Sequence, residues 1–193
     1  MEGQKKRGRG GTIAFVIVLC LLVGAVLISY YKIMKRQQIR QADQTPKTET
    51  EKLIAKDIEA GYPETPAEVL KLWGRINQSI YNNSLTDEQF SSLVKQLRVL
   101  YSSDLLASND EAAQIQKFRL ETEEFQEEKS KIVSYSAGSK ATQYKSINHR
   151  ECAYLKLSYF INKKKGYTKN FQDFILVKED GKWKVLGFKN GRE

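Results

Sequence analysis

Proton-transfer chemistry in this chain would fall to His149, the only histidine, or to Asp173, the one acid inside the third strand-like run. His149 lies beside Asn148, Arg150 and Glu151, a polar turn ahead of a strand. An exposed loop imidazole is the simpler reading there than a general base. Asp173 shares the parity of Phe171, Ile175 and Val177, which puts it either toward a cavity or at a strand edge. One carboxylate without a partner in the pattern is poor ground for acid–base catalysis. Cys152 reads as a small buried strand residue rather than a nucleophile. With two cysteines and one histidine, no zinc-type spacing exists and no disulfide framework is available. No catalytic, cofactor-binding or metal-ligating residue is assigned, and the expectation is a non-enzymatic protein without a cofactor.

Aromatic and basic residues are the better candidates. Trp73, Tyr101, Tyr154, Tyr159 and Trp183 fall on predicted elements. Most such rings are core, yet tyrosines in a concave fold also line pockets with polar handles. Lys163, Lys164 and Lys165 form a basic turn, and Lys182 and Lys184 sit in the last strand. These five are the candidate anion-binding surface; solvated strand faces and tips are the plain alternative.

The 193 residues carry a net charge of +9, which resembles a nucleic-acid footprint until it is located. Residues 1–40 hold eight basic residues and one acid, a net of +7. Residues 41–128 hold 9 basic and 17 acidic groups, a net of −8, and residues 129–193 hold 15 and 5, a net of +10. Most of the excess therefore flanks an apolar segment. The rest sets a basic half against an acidic one. Nucleic acid is disfavoured, because no helix or aromatic platform sits among the lysines.

Thr12 to Tyr31 reads TIAFVIVLCLLVGAVLISYY, without a charge. A helix of that length spans roughly 30 Å, the thickness of a bilayer core. Tyr30 and Tyr31 fall at an aromatic belt, and Lys32 can snorkel. The run is longer than a signal-peptide h-region and no small-residue cleavage site follows. Leu19 stands where a lipoprotein cysteine would need a small residue before Cys20. The expectation is an uncleaved single-pass anchor. Flanking charges tie, with four on each side. The compact cluster Lys5, Lys6, Arg7 and Arg9, and the ease with which long C-terminal domains translocate, favour a cytoplasmic N-terminus.

Four regions follow: a basic cytoplasmic tail (1–11), a transmembrane helix (12–31), a linker with a short amphipathic helix (32–61) and an extracytoplasmic α+β domain (62–193). Within the linker, Leu53, Ile54 and Ile58 have helical spacing, to pack on the domain or lie on the membrane. Thr65-Pro66-Ala67-Glu68 is a capping box with proline at the first helical position. Val69, Trp73, Ile76 and Ile80 then form one helix face. Thr86 to Gln89 opens a second helix lined by Phe90, Leu93, Leu97 and Leu100. A third opens near Ser108 to Glu111. After Lys131 the period changes to two: strands at Ile132–Ser136, Glu151–Ile161, Phe171–Val177 and Trp183–Phe188, with turns at Lys163–Gly166 and Asp180–Gly181.

Helices followed by antiparallel strands give an α+β order. The closing hairpin FILVKEDGKWKVLGF (Phe174–Phe188), with Asp180-Gly181-x-Trp183, resembles the nuclear-transport-factor-2-like, or SnoaL-like, superfamily. YPETPAEVLKLWGRI (Tyr62–Ile76) and LTDEQFSSLVKQLRVLYSSDLL (Leu85–Leu106) resemble a family of Gram-positive membrane-anchored proteins of unknown function. The resemblance covers roughly residues 49–189 and implies three helices packed on a curved, cone-like antiparallel sheet. It says little about activity, because the superfold hosts enzymes, binding subunits and assembly parts. The expected function is a non-catalytic binding or assembly module at the cell membrane. It would have a protein partner or second copy at the sheet, or an anionic wall polymer, as partner. The alternatives are a pocketed enzyme acting on a small apolar molecule, or a tethered subunit of an export, sporulation or conjugation apparatus.

Overall fold

The helices begin where the sequence supplies caps. The structure is a computed structural model that describes residues 48–138 and 143–191. In it α1 (Glu49–Ile54), α2 (Pro66–Asn82) and α3 (Asp87–Arg98) each open with a capping box. Thr48 pairs with Glu51, Thr65 with Glu68, and Thr86 with Gln89. Each threonine hydroxyl accepts the N–H three residues on, and the side chain there accepts the cap's own N–H, so two orphan donors are satisfied at once. Ser102 caps the short α4 (Ser103–Ala107), and Asp110 caps α5 (Glu111–Glu127). The expected basic tail, the apolar segment 12–31 and the linker to residue 47 lie outside the described residues. Among the described residues no helix is long and apolar enough to cross a membrane.

The strands form one antiparallel sheet: β1 (Lys131–Ala137), β2 (Gln143–Ile147), β3 (Arg150–Lys163), β4 (Gly166–Glu179) and β5 (Lys182–Asn190). β1 and β2 pair with opposite halves of β3, and β4 and β5 follow as a meander. The β2–β3, β3–β4 and β4–β5 turns are tight, two-residue loops. Asn148 and His149 both have positive φ, as do Asp180 and Gly181, the twist that joins right-handed strands without splaying them. The fold is α+β, as the element order implied.

Alternation decides what the sheet buries. Ala153, Leu155, Leu157, Tyr159 and Ile161 of β3 face the helices, with Phe174 and Leu176 of β4 and Val185 of β5. The apolar stripes of α2 (Val69, Trp73, Ile76, Ile80) and α3 (Phe90, Leu93, Leu97) cover them. α2 approaches β1 so closely that a Cβ on Gly74 would stand 2.5 Å from the Tyr135 ring. The free edge of β5 is covered by the chain leaving α3: Ser102 N–H donates to Val185 O at 2.9 Å, and Val185 N–H donates to Leu100 O at 2.7 Å.

Three details differ from the sequence expectation. Besides the expected linker helix and three domain helices, a further short helix, α4, is present among the described residues. The described fold takes in residues from Thr48 onward, inside the stretch read as linker. Leu53 and Ile58 lie in the core, and Thr50 shares a 2.9 Å hydrogen bond with Ser79. β2 was not expected at all, since every one of its residues is exposed and its sequence has no alternating apolar face.

Candidate functional site

Trp73, Asn77 and Tyr81 stand one turn apart along α2 and present one face of the helix to the sheet. Trp73 is 1% exposed. Its ring stacks on Tyr101 at 5.4 Å and meets Phe174 and Phe188 edge-on at 5.2 Å each. Above this aromatic floor the polar groups begin. Asn77 Nδ2 donates to the Tyr159 hydroxyl at 3.0 Å, and Gln114 Nε2 of α5 donates to the Tyr101 hydroxyl at 2.5 Å. The Tyr81 hydroxyl donates to Glu121 at 3.1 Å.

Two hollows adjoin here. A cavity of about 160 Å³ is walled by Trp73, Asn77, Tyr101, Gln114, Phe118 and Gln172. A wider groove of about 840 Å³ opens beyond it past Tyr159, Phe125 and Asn170. Asn77, Tyr81 and Gln172 wall both. Among the described residues three buried side-chain polar atoms lack a hydrogen bond of good geometry: Asn77 Oδ1, Gln172 Oε1 and Trp73 Nε1, whose N–H has the Tyr159 hydroxyl as its nearest interaction. All three belong to residues that wall the smaller cavity. One donor and two acceptors thus gather in a place where leaving each unpaired costs about 1–3 kcal/mol.

Burial keeps the phenols of this site un-ionised, while Lys117 and Glu121 stand at the wall of the smaller cavity. Burial pushes the Tyr159 phenol well above its ordinary range, against the opposing hydrogen bonds of Asn77 and Trp73. Burial, reinforced by the Glu121 carboxylate, does the same to Tyr81. Tyr101 is pushed up to about 12, again chiefly by burial. The phenols are therefore hydrogen-bonding groups and not bases or nucleophiles near neutrality.

The sequence candidates divide. Trp73, Tyr101 and Tyr159 converge on the cavity. Tyr154 does not: it points to the opposite face of the sheet, under Lys145, whose Nζ is 5.3 Å from its ring. There it lines a separate groove of about 610 Å³ with Lys156, Asp173 and Ile175. Trp183 is core at the other end of the sheet, 5.7 Å from Tyr144. Asn77 and Gln172 were missed. The available signal was an amide on an otherwise apolar stripe, four residues after Trp73, and another in phase with Phe174 and Leu176.

The five candidate lysines do not form one surface. Lys163, Lys164 and Lys165 lie at the β3–β4 turn, with Lys163 3.1 Å from Glu128. Lys182 and Lys184 lie at the opposite end of β4, where both pair with Glu59 and stand over the Tyr62 ring at 5.2 and 4.4 Å. Lys184 also donates to Val99 O at 2.7 Å, and burial lowers its pKa against the pull of Glu59. His149 is exposed at its turn with φ 63°. Asp173 faces away from the cavity, 4.0 Å from Lys156 Nζ. Among the described residues no three His, Cys, Asp or Glu side chains gather as a metal site would need.

Comparison adds a family match without a described activity. A family model described as "Domain of unknown function (DUF6715)" matches residues 1–188. No curated protein matches the chain. Among solved structures, the crystal structure of the intermembrane space region of the chloroplast protein ARC6 aligns with 9% identity and a TM-score of 0.35. That alignment covers 68% of this chain and 100% of that one.

Proposed function

The chain belongs to the family described as a domain of unknown function (DUF6715), and we propose that it is a single-pass membrane protein with an extracytoplasmic, nuclear-transport-factor-2-like domain that binds a small neutral molecule without transforming it. One observation carries the binding reading: the three unpaired polar atoms around one cavity. Asn77 Oδ1 and Gln172 Oε1 need donors, and Trp73 Nε1–H, which meets the Tyr159 hydroxyl without a hydrogen bond of good geometry, can take an acceptor. A primary amide or a comparable face with one acceptor and two N–H groups supplies all three, while the aromatic floor takes an apolar body. Reversing the Asn77 amide would only exchange which of its ends is unpaired.

The non-catalytic half of the reading is supported by position. His149 and Asp173 lie away from the cavity, and its phenols stay protonated. The anchor half is supported by the uncharged run Thr12–Tyr31 and the basic residues flanking it.

Thermal melts of the full chain in detergent test the binding. Benzamide should raise the midpoint, by the equivalent of about 2.7 kcal/mol at a hundredfold excess over its dissociation constant. Benzoate, which offers no donor, should not. Asn77→Leu combined with Gln172→Leu should remove the shift. Wild-type protein indifferent to benzamide would overturn this reading.

A further inference from the structure

We propose that the β3–β4 hairpin docks on the anionic surface of the bilayer that holds the chain's own N-terminal segment; this rests on reading Thr12–Tyr31 as a span. The first observation is an exposed aromatic pair. Phe160 and Tyr167 stack at 5.0 Å with an interplanar angle of 2°, on the face of the sheet away from the helices. They remain 40% and 66% exposed. Rings of that kind settle at the headgroup level, apolar body inward and phenol outward.

The second observation is charge that the fold leaves unneutralised. Lys164 and Lys165 are the two-residue loop between Lys163 and Gly166, and make no ion pair among the described residues. Lys169 stands directly across from Phe160, and Lys131 pairs in register with Asn162. At the end of α5, Glu128 pairs with Lys163, and the exposed Glu123, Glu124 and Glu127 make no ion pair with the hairpin among the described residues. The opposite end of the sheet differs. There Arg150 is held by Asp104 at 2.6 Å and Glu179 at 2.8 Å, Lys178 by Glu151 at 3.1 Å, and Lys182 by Glu59. Attraction to an anionic surface is therefore concentrated at the hairpin end.

The third observation is where the tether enters. Thr50 bonds to Ser79, and Asn83 Nδ2 donates to Thr50 Oγ1 at 3.3 Å, so the chain joins the domain at the C-terminal end of α2. The neighbouring Asn82 exchanges two 2.8 Å hydrogen bonds with the backbone of Ile132, which pairs with Ile161, two residues before Lys163. Entry point and hairpin thus share one end of the domain. Sixteen residues, 32–47, separate Tyr31 from Thr48. Fully extended they reach at most about 55 Å, a tether that permits the hairpin to meet the headgroups.

The full chain in lipid nanodiscs tests this. Trp73 and Trp183 are buried, so a tryptophan placed at Tyr167 reports the hairpin, and one placed at Tyr144 reports the far end. Brominated lipid should quench Tyr167→Trp in discs containing phosphatidylglycerol, more than in phosphatidylcholine alone, and should spare Tyr144→Trp. Lys164→Gln with Lys165→Gln should lower the docked-to-undocked ratio by about 25-fold, at about fivefold per lysine near an anionic surface. A chain retained in the discs whose two reporters quench alike, or whose quenching ignores lipid charge, overturns the docking and leaves the anchor standing. Capture on an anionic wall polymer without lipid quenching counts against it in the same way. A chain that does not stay with the discs overturns anchor and docking together.

Discussion

The Asn77 side chain donates to the Tyr159 hydroxyl at 3.0 Å across 82 residues of sequence, and its own Oδ1 is buried with no partner among the described residues. One bond thus ties α2 to β3 and turns the free end of the amide toward the cavity. Asn77→Leu should cost about 1–3 kcal/mol, because it strands the buried phenol. Asn77→Leu with Tyr159→Phe removes both partners and should come back close to wild-type stability. Urea denaturation of the four species closes the cycle. A double variant as unstable as the worse single variant would mean that packing, and not the polar pair, sets the cost.

Gly74 is required by contact rather than by backbone conformation. Its missing Cβ would meet Tyr135 Cδ2 at 2.5 Å and Cγ at 2.8 Å. Gly74→Ala should destabilise by about 1–3 kcal/mol, although alanine is the better helix former, because overpacking outweighs a propensity gain of about 1 kcal/mol. Adding Tyr135→Ser should relieve the clash, and chemical denaturation would show the recovery.

Caps and core differ in scale. Thr65→Ala removes one cap of α2 and should cost about 1 kcal/mol. Trp183→Ala empties a ring that is 6% exposed and should cost about 3–5 kcal/mol. Melting curves of the two variants should separate clearly. A Trp183→Ala protein that melts with Thr65→Ala would remove that ring from the core.

Acid should loosen the clamp between Glu59 and the β5 lysines. The hydrogen bond from Lys182, opposed by partial burial and helped by the Lys184 and Lys182 charges, lowers the Glu59 pKa below the ordinary 4.5. A carboxyl depressed in the folded state contributes stability that is complete above its unfolded pKa and is lost as pH falls through the folded one. Glu49, bound to Arg75, acts in the same direction. Stability should therefore be flat through neutrality and fall below about pH 4.5. Glu59→Gln should flatten part of that acid limb, as read by denaturation from pH 7 downward. An unchanged limb would show that the clamp is fully screened by solvent.

Local chemistry made the helices legible, because Thr65 and Thr86 carry their capping partners three residues on. Long-range pairing hid the rest. Lys182 and Lys184 read as basic surface because Glu59, their partner, lies 123 residues away from Lys182 in sequence. Parity misplaced the aromatics. Phe188 is out of phase with Trp183, yet a register shift between Ile175 and Leu176 brings it to the same face, where it meets Trp73 edge-on. Tyr154 had the right residue type and the wrong side of β3. Asn77 and Gln172 were legible as polar residues on apolar faces, but nothing local says that Asn77 spends its N–H on Tyr159 and keeps its oxygen.

The central claim is that Trp73, Asn77 and Gln172 hold a ligand's amide face. The chain has two tryptophans, so its indole N–H spectrum has two resonances, assigned by Trp73→Phe. The decisive measurement is a benzamide titration of the ¹⁵N-labelled full chain in detergent micelles. The account predicts that the Trp73 resonance moves saturably while Trp183 stays still, and that Asn77→Leu with Gln172→Leu abolishes the movement. Two indole resonances that stay still, or that drift together without saturation, would contradict it.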